Sequence, residues 1–453
     1  MAMNADGLWV KNPLATWTGN ETDGAGGVLV KDGRIAEVLA AGQRPAGDPE
    51  VFDASRHVVL PGLINVHHHF YQTLNRAWPP VESLPLFGWL TGLYGIWHRL
   101  GPDALDAAVR VALAELLLSG CTTTSDHHYL FSGQLGEAID IEVAAARDLG
   151  IRATLVRGSI SLGTDDGGLP PQVYVQSGER ILADSERVVK AYHQPGAGAM
   201  TQIALGPVSP FSVTPANMRD SAALARTLGV RLHTHLAESV DEDAFFVEHL
   251  GRRTLDYFDE VGWLDDRTWF AHAIHLDDDD VARLGRAGVG IAHCPTSNMR
   301  LASGICRGLE LERAGCPVGL GVDGSASNDG SSLIAEARMS LMAERLRYGA
   351  EAITPLTVLR WTTRGSAGAL GRDDIGTIEV GKQADLAMFT LDDIRFSGSH
   401  DPVGALLLCG ADRADRVMVG GRWRVEDGAV VGLDLDALLA RHRELAAAMH
   451  AGV

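Results

Sequence analysis

Residues 61–72, PGLINVHHHFYQ, run from Pro61 and Gly62 through a short apolar stretch into three consecutive histidines. If Ile64 to His69 is the end of a β-strand, alternation puts His67 and His69 on one face and His68 on the other. Two imidazoles at a strand end are either a hydrogen-bonded polar cluster or part of a metal site. The choice depends on whether further donors arrive from elsewhere in the chain.

From residue 58 onward the sequence alternates between strand-like and helical runs. HVVLPGLINVHHH reads as a first strand, DALDAAVRVALAELLLSG as a helix and CTTTSDHH as a second strand. GEAIDIEVAAARDLG then leads into IRATLVRG, and a helix near 176–193 leads into QIALGPVS. MRDSAALARTLG precedes VRLHTHLAE, and DAFFVEHLGRRTLDYFDEVG precedes TWFAHAIHL. DDVARLGRAG precedes VGIAHCP, and GLELERAG precedes CPVGLGVDG, the eighth strand. Eight such units predict a closed parallel (β/α)₈ barrel with its active site at the C-terminal strand ends. His67, His69, His127, His128, His235, His272, His293 and Asp323 all fall at or near those ends. Scattered structural histidines have no reason to gather there.

Outside the barrel the pattern is short β-runs with glycine turns. GVLVKDGRIAEVL carries a KDGRI turn near the start; DDIGTIEVGKQADLAMFTLDD and DRVMVGGRWRVEDGAVVG follow the barrel. The expectation is an α/β chain: a catalytic barrel over 61–370, a small β-sandwich from 1–60 and 371–434, and a helix over 435–453.

Composition narrows the function classes. Hydrophobic residues are 46% and charged residues 21% of the 453, as in soluble globular proteins. No apolar run of about 18 residues predicts a membrane helix, and the start, MAMNADGLWV, lacks the pattern of a secretory signal. Five scattered cysteines without CxxC spacing fit a reducing, cytoplasmic setting. A net charge of −19 repels a phosphate backbone, so neither nucleic acid nor membrane is an expected partner. A neutral small molecule is, and so are further copies of this chain.

Borderline divalent ions favour neutral imidazole nitrogen plus a carboxylate, and a catalytic site keeps one position open. His67 and His69, with His235 and Asp323 from strands five and eight, supply such a set. An Asp-Gly turn cap is the competing reading of Asp323.

PGLINVHHHFYQ, LHTHLAES, AHAIHL, AHCPTSN, GLGVDGSASND and GTIEVGKQADLAMF, taken together, resemble the amidohydrolase superfamily. The likeness spans about residues 26–430. It is greatest to the mononuclear aminohydrolases of purines, pterins, pyrimidines and triazines. The resemblance implies that His67, His69, His235 and Asp323 hold one Zn²⁺ per chain, with Fe²⁺ as the alternative. Members with two metals bridge them through a strand-four lysine, and TQIALGPVSPF has none. It also implies that Glu238 carries protons, that His272 orients water and that Asp323 takes its proton. His275 is a weaker rival of His272, and His233 reads as a packed, hydrogen-bonded barrel histidine.

In similar enzymes a glutamine at the position of Gln72 contacts the substrate ring; a solvated loop amide is the alternative. His127 or His128 is expected to line the pocket, with His128 preferred. Trp78, Trp89 and Trp97 share a long apolar loop that either stacks on a planar ring or packs a lid, and Trp78 is taken as the substrate contact. The implied reaction is hydrolytic deamination of a 2-amino-lactam heterocycle. 8-Oxoguanine, giving urate and ammonia, is the leading substrate; isoxanthopterin, guanine and isocytosine share its reacting edge. Loss of an alkylamine or chloride from an s-triazine is the runner-up. A nucleobase deaminase of the HxE/PCxxC type is disfavoured because no PCxxC occurs. A non-catalytic scaffold is disfavoured because every position of the donor set is filled.

Overall fold

A computed structural model describes residues 6–452. Residues 1–5 and 453, and with them part of the MAMNADGLWV start and the outermost ends of the 1–60 and 435–453 segments, lie outside the described residues. Eight parallel strands close the barrel: β1 (Leu63–Asn65), β2 (Cys121–His128), β3 (Arg152–Ser159), β4 (Thr201–Pro207), β5 (Leu232–Leu236), β6 (Thr268–His272), β7 (Gly290–His293) and β8 (Val318–Leu320). Helices between the strands cover the outside. Sequence chemistry sets several of their ends. The Thr214 side chain accepts from Asn217 N–H beside Pro215, and Gly229 closes the same helix in the left-handed region.

The predicted first strand, 57–69, is three pieces. His57–Pro61 pairs antiparallel with Leu386–Thr390 in the sandwich, β1 belongs to the barrel, and His68–His69 pairs with Asp323–Gly324. The chain changes sheets at Gly62, where a Cβ would lie 2.1 Å from the Thr122 hydroxyl oxygen. Only glycine allows that approach. The continuous apolar run concealed the break, because burial on two different sheets looks the same in sequence.

The sandwich draws on both ends of the chain. One four-stranded sheet holds Leu8–Lys11, Gly27–Lys31, Arg34–Leu39 and Glu50–Asp53; the six-stranded sheet combines Ala15–Thr16 and His57–Pro61 with four strands beyond the barrel. Val10, Val28, Val30, Val59, Leu386, Met388 and Met418 form its buried core. Arg152 on β3 joins the two units by gripping the Asp385 carboxylate, with Nε to Oδ2 at 2.7 Å and Nη2 to Oδ1 at 3.0 Å. Both side chains are buried, so removing either would strand a charge at a cost of about 3–5 kcal/mol.

Candidate active site

The strand ends bring the distant donors together. Asp323 N–H bonds to the His67 carbonyl at 3.1 Å, and Asp323–Gly324 runs beside His68–His69, so the eighth barrel unit is registered on the first. His67 and His69 rings lie 4.8 Å apart, and the His235 ring is 5.0 Å from His67. Ligand atoms of His67, His69 and His235 all lie within 4.8 Å of one another. Asp323 Oδ1 is 3.3 Å from His67 Nε2 and 3.4 Å from His69 Nε2.

Hydrogen bonds at the far side of each ring fix its tautomer. A carbonyl can only accept, so His69 Nδ1–H donates to His127 O at 2.8 Å and His235 Nδ1–H donates to Val208 O at 2.6 Å. His67 is held one step removed. His233 Nδ1–H donates to Trp269 O at 2.8 Å, leaving its Nε2 to accept from His67 Nδ1–H, also at 2.8 Å. Three Nε2 lone pairs therefore face one point. His67 Nε2 is buried without a hydrogen-bond partner. Burial holds all three imidazoles below their usual pKa, His69 at about 3, so they stay neutral as a metal ligand must. Burial alone would raise Asp323, but the close approach of His67, together with His272 and His69, holds it well below the usual carboxylate range.

Glu238 and His272 stand beside this set. His272 Nε2 lies 3.5 Å from Glu238 Oε2 and 3.9 Å from Asp323 Oδ2, while its Nδ1–H donates to Asn298 Oδ1 at 2.9 Å. Burial would lower the His272 pKa, yet Glu238 and Asp323 outweigh it and raise it. Burial pushes Glu238 up to about 7; His272 opposes this and Asp323 adds to it. Both carboxylate oxygens of Glu242 grip the turn that presents Glu238, accepting from Ala237 N–H at 2.9 Å and Glu238 N–H at 3.0 Å. Ala237, His272, Ala273 and Asp323 have φ of 49°, 73°, 50° and 59°. Non-glycine residues resist that region, and such strain concentrates at functional sites.

Above these groups lies a pocket at the C-terminal mouth of the barrel. His69, His235, Glu238, His272 and Asp323 form its polar floor. The helix Leu86–Trp97 covers it with Leu86, Trp89, Leu90 and Tyr94, and Trp89 Nε1–H donates to Ala326 O at 3.1 Å. Gln72 also lines it, buried in the short helix Phe70–Asn75. Its Oε1 accepts from Ala326 N–H at 3.3 Å, leaving Nε2 without a partner.

Two expected substrate contacts lie elsewhere. Alternation along β2 turns His127 toward the metal-facing rings and His128 outward, where Nδ1 is 2.9 Å from Glu142 Oε1 and Nε2 donates to Leu130 O. His128 does not line the cavity. Trp78 precedes the covering helix and packs on His450, ring centres 5.0 Å apart, so Trp89 takes the place expected of Trp78. His275 turns away to Ser303 O, and His68 bonds Ser331 Oγ at 2.9 Å on the opposite face from His67.

The model of one family, described as the amidohydrolase family, matches residues 58–424. The chain belongs to that family. This amidohydrolase is 64% identical over 98% of its length to 8-oxoguanine deaminase from Pseudomonas aeruginosa, covering 99% of that protein. It is 34% identical to isoxanthopterin deaminase from an unknown prokaryotic organism, over 87% of this chain and 86% of that one. Among solved structures it resembles atrazine chlorohydrolase TrzN from Arthrobacter aurescens TC1 complexed with zinc, with a TM-score of 0.91 and 32% identity over 97% of this chain and all of that one.

Sequence reasoning did not find several of the amidohydrolase's supporting residues. His233 is the packed, hydrogen-bonded barrel histidine expected, and its bond also fixes the tautomer of His67. Glu242 went unnoticed, although a second acid four residues beyond Glu238 was a visible signal. Tyr129 and Phe211 line the cavity from loops whose path no periodicity reveals.

Proposed function

We propose that this amidohydrolase hydrolytically deaminates a 2-amino-lactam heterocycle, with 8-oxoguanine as the preferred substrate and urate and ammonia as products. The observation that carries the reading is the convergence of three fixed imidazole lone pairs, Asp323 and a raised-pKa Glu238 beneath a cavity whose free polar donor is the Gln72 amide. The 64% identity to an 8-oxoguanine deaminase supports the same substrate.

His67, His69, His235 and Asp323 fit one divalent ion. When bound, that ion would supply Lewis acidity that lowers the pKa of water and readies it to attack the amino-bearing carbon. Zinc is our choice, with iron(II) the alternative, in a cytoplasmic homo-oligomer. Asp323 takes the proton of the attacking water, and His272 steadies the charge that develops beside it. Glu238 delivers a proton to a ring nitrogen, Asp323 passes the water's proton to the amino group, and the tetrahedral carbon expels ammonia as its hydroxyl proton returns to Glu238. Gln72 Nε2–H donates to the lactam carbonyl, and the covering helix excludes bulk water.

Ammonia release across guanine, 8-oxoguanine, isoxanthopterin, isocytosine, adenine and a chloro-triazine tests the assignment. The expected order places 8-oxoguanine first. Faster turnover of adenine or the triazine would overturn it. Chloride release belongs in the same assay because the fold matches a chlorohydrolase closely.

Metal analysis is expected to return one equivalent per chain, lost together with activity on chelation and regained on adding zinc. β4 carries no lysine to bridge a second ion. Two equivalents, both needed for turnover, would refute the single-ion reading.

A further inference from the structure

Three side chains with no role in the reaction above form a closed cluster behind β2. Asp126, His128 and Glu142 have no solvent exposure, and their ligand-type atoms lie within 4.8 Å of one another. His128 Nδ1 is 2.9 Å from Glu142 Oε1 but out of hydrogen-bond alignment. Asp126 Oδ2 and both Glu142 oxygens have no aligned donor, and neither acid has a Lys or Arg ion-pair partner among the described residues. Burial pushes Glu142 up to about 8, and burial with Glu142 beside it raises Asp126 well above its usual range. Two carboxyls buried against each other, with no Lys or Arg beside them, cost several kcal/mol that apolar side chains would not.

The cluster makes two directional bonds to the rest of the protein. His128 Nε2–H donates to Leu130 O at 2.8 Å, and Asp126 Oδ1 accepts from Phe70 N–H at 2.5 Å. The second bond meets the chain where β1 has lost its ladder. β1 and β2 are paired as far as Asn65 and Thr124, and five residues beyond Asn65 the chain turns into the helix Phe70–Asn75. Its first N–H groups have no partner within the helix. Phe70 follows His69 directly and precedes Gln72 by two, so its anchored amide lies in the short turn that carries both side chains.

We propose that Asp126 is a positioning residue that holds the His69–Gln72 turn through the Phe70 amide, with Glu142 and His128 holding Asp126 in place. The kinetic consequence rests on the deaminase reading; the structural one does not. Asp126→Asn keeps an oxygen for Phe70 N–H and turns an amide donor toward Glu142, so it should rescue the role. Asp126→Leu keeps the volume and removes the acceptor.

The test uses the zinc-loaded full chain and three readouts: hydrogen exchange of the 66–75 segment, zinc loss to a chelator, and kcat and KM for 8-oxoguanine. The expected result for Asp126→Leu is faster exchange in that segment, zinc loss about 10–100-fold faster, and a similar fall in kcat/KM with KM contributing, as for other groups that orient ligands. Asp126→Asn should stay near wild type in all three. If Asp126→Leu does not fold, Asp126→Ser, whose hydroxyl stops short of Phe70, should show the same losses. Wild-type exchange and zinc retention in the Leu or Ser variant would overturn the proposal, as would an Asn variant as damaged as Leu. A wild-type protein that releases no ammonia defeats the substrate reading instead, and leaves the exchange and zinc results to judge Asp126.

Discussion

Glu238→Gln is expected to lower kcat by about 10²–10⁴-fold, the range of a positioned acid–base group, while zinc content stays unchanged. The glutamine matches the glutamate in size, and Glu242 would still hold the turn through Ala237 and Glu238 N–H. Packing is therefore preserved and proton transfer alone is lost. Glu238 is suited to that transfer because burial, only partly offset by His272, places its carboxyl at about 7. Near neutral pH such a group gives and accepts protons with equal ease, whereas an amide does neither. The metal donors are other residues, so the ion should remain. Single-turnover ammonia release with metal analysis on the same sample makes the measurement. Turnover within a few-fold of wild type in zinc-loaded protein would remove Glu238 from the chemistry.

The barrel was legible because each strand carries its own signal. CTTTSDHH and IRATLVRG, bounded by helical runs, predict strands that coincide with β2 and β3. The division at Gly62 was not legible, since it depends on Thr122 lying against the chain sixty residues later in sequence. Of the site, the residue types and their places at strand ends could be read. Their mutual orientation could not. His67 depends on His233, 166 residues away, for its tautomer. His127 and His128 are adjacent, and only the register of β2 against its neighbours decides which faces inward. Trp89 could have been separated from Trp78 by the spacing of Leu86, Trp89, Leu90 and Tyr94, which lies along one side of a helix. Trp78 precedes that helix and is captured by the C-terminal one, a contact no local pattern predicts.

For Gln72→Glu, kcat/KM toward 8-oxoguanine is expected to fall further than for Gln72→Ala, with both variants folded and zinc-loaded. The orientation of the amide makes the case. Gln72 Oε1 is committed to Ala326 N–H, and it sits so close to Gly324 that a Cβ there would lie 1.8 Å from that oxygen. Its Nε2 is left as a buried donor without a partner, on a side chain that lines the cavity. A lactam carbonyl supplies the missing acceptor. A ring presenting an amino group there leaves the donor unpaired, which costs about 1–3 kcal/mol per group. Sites built on such bonds reject analogues lacking them by up to about 10⁴–10⁵-fold. Alanine removes the donor and admits water, so a loss of about 10–10²-fold is expected, the equivalent of about 1–3 kcal/mol for the lactam oxygen left without its donor. Glutamate keeps the shape but sets a carboxylate against the lactam oxygen, adding repulsion to the lost bond. The measurement is kcat/KM of the three proteins for 8-oxoguanine and adenine. Wild type should favour 8-oxoguanine most strongly, and both variants should narrow the gap. Equal losses for the two bases, or a glutamate variant that outperforms alanine on the lactam, would mean that Gln72 shapes the cavity without reading the ring.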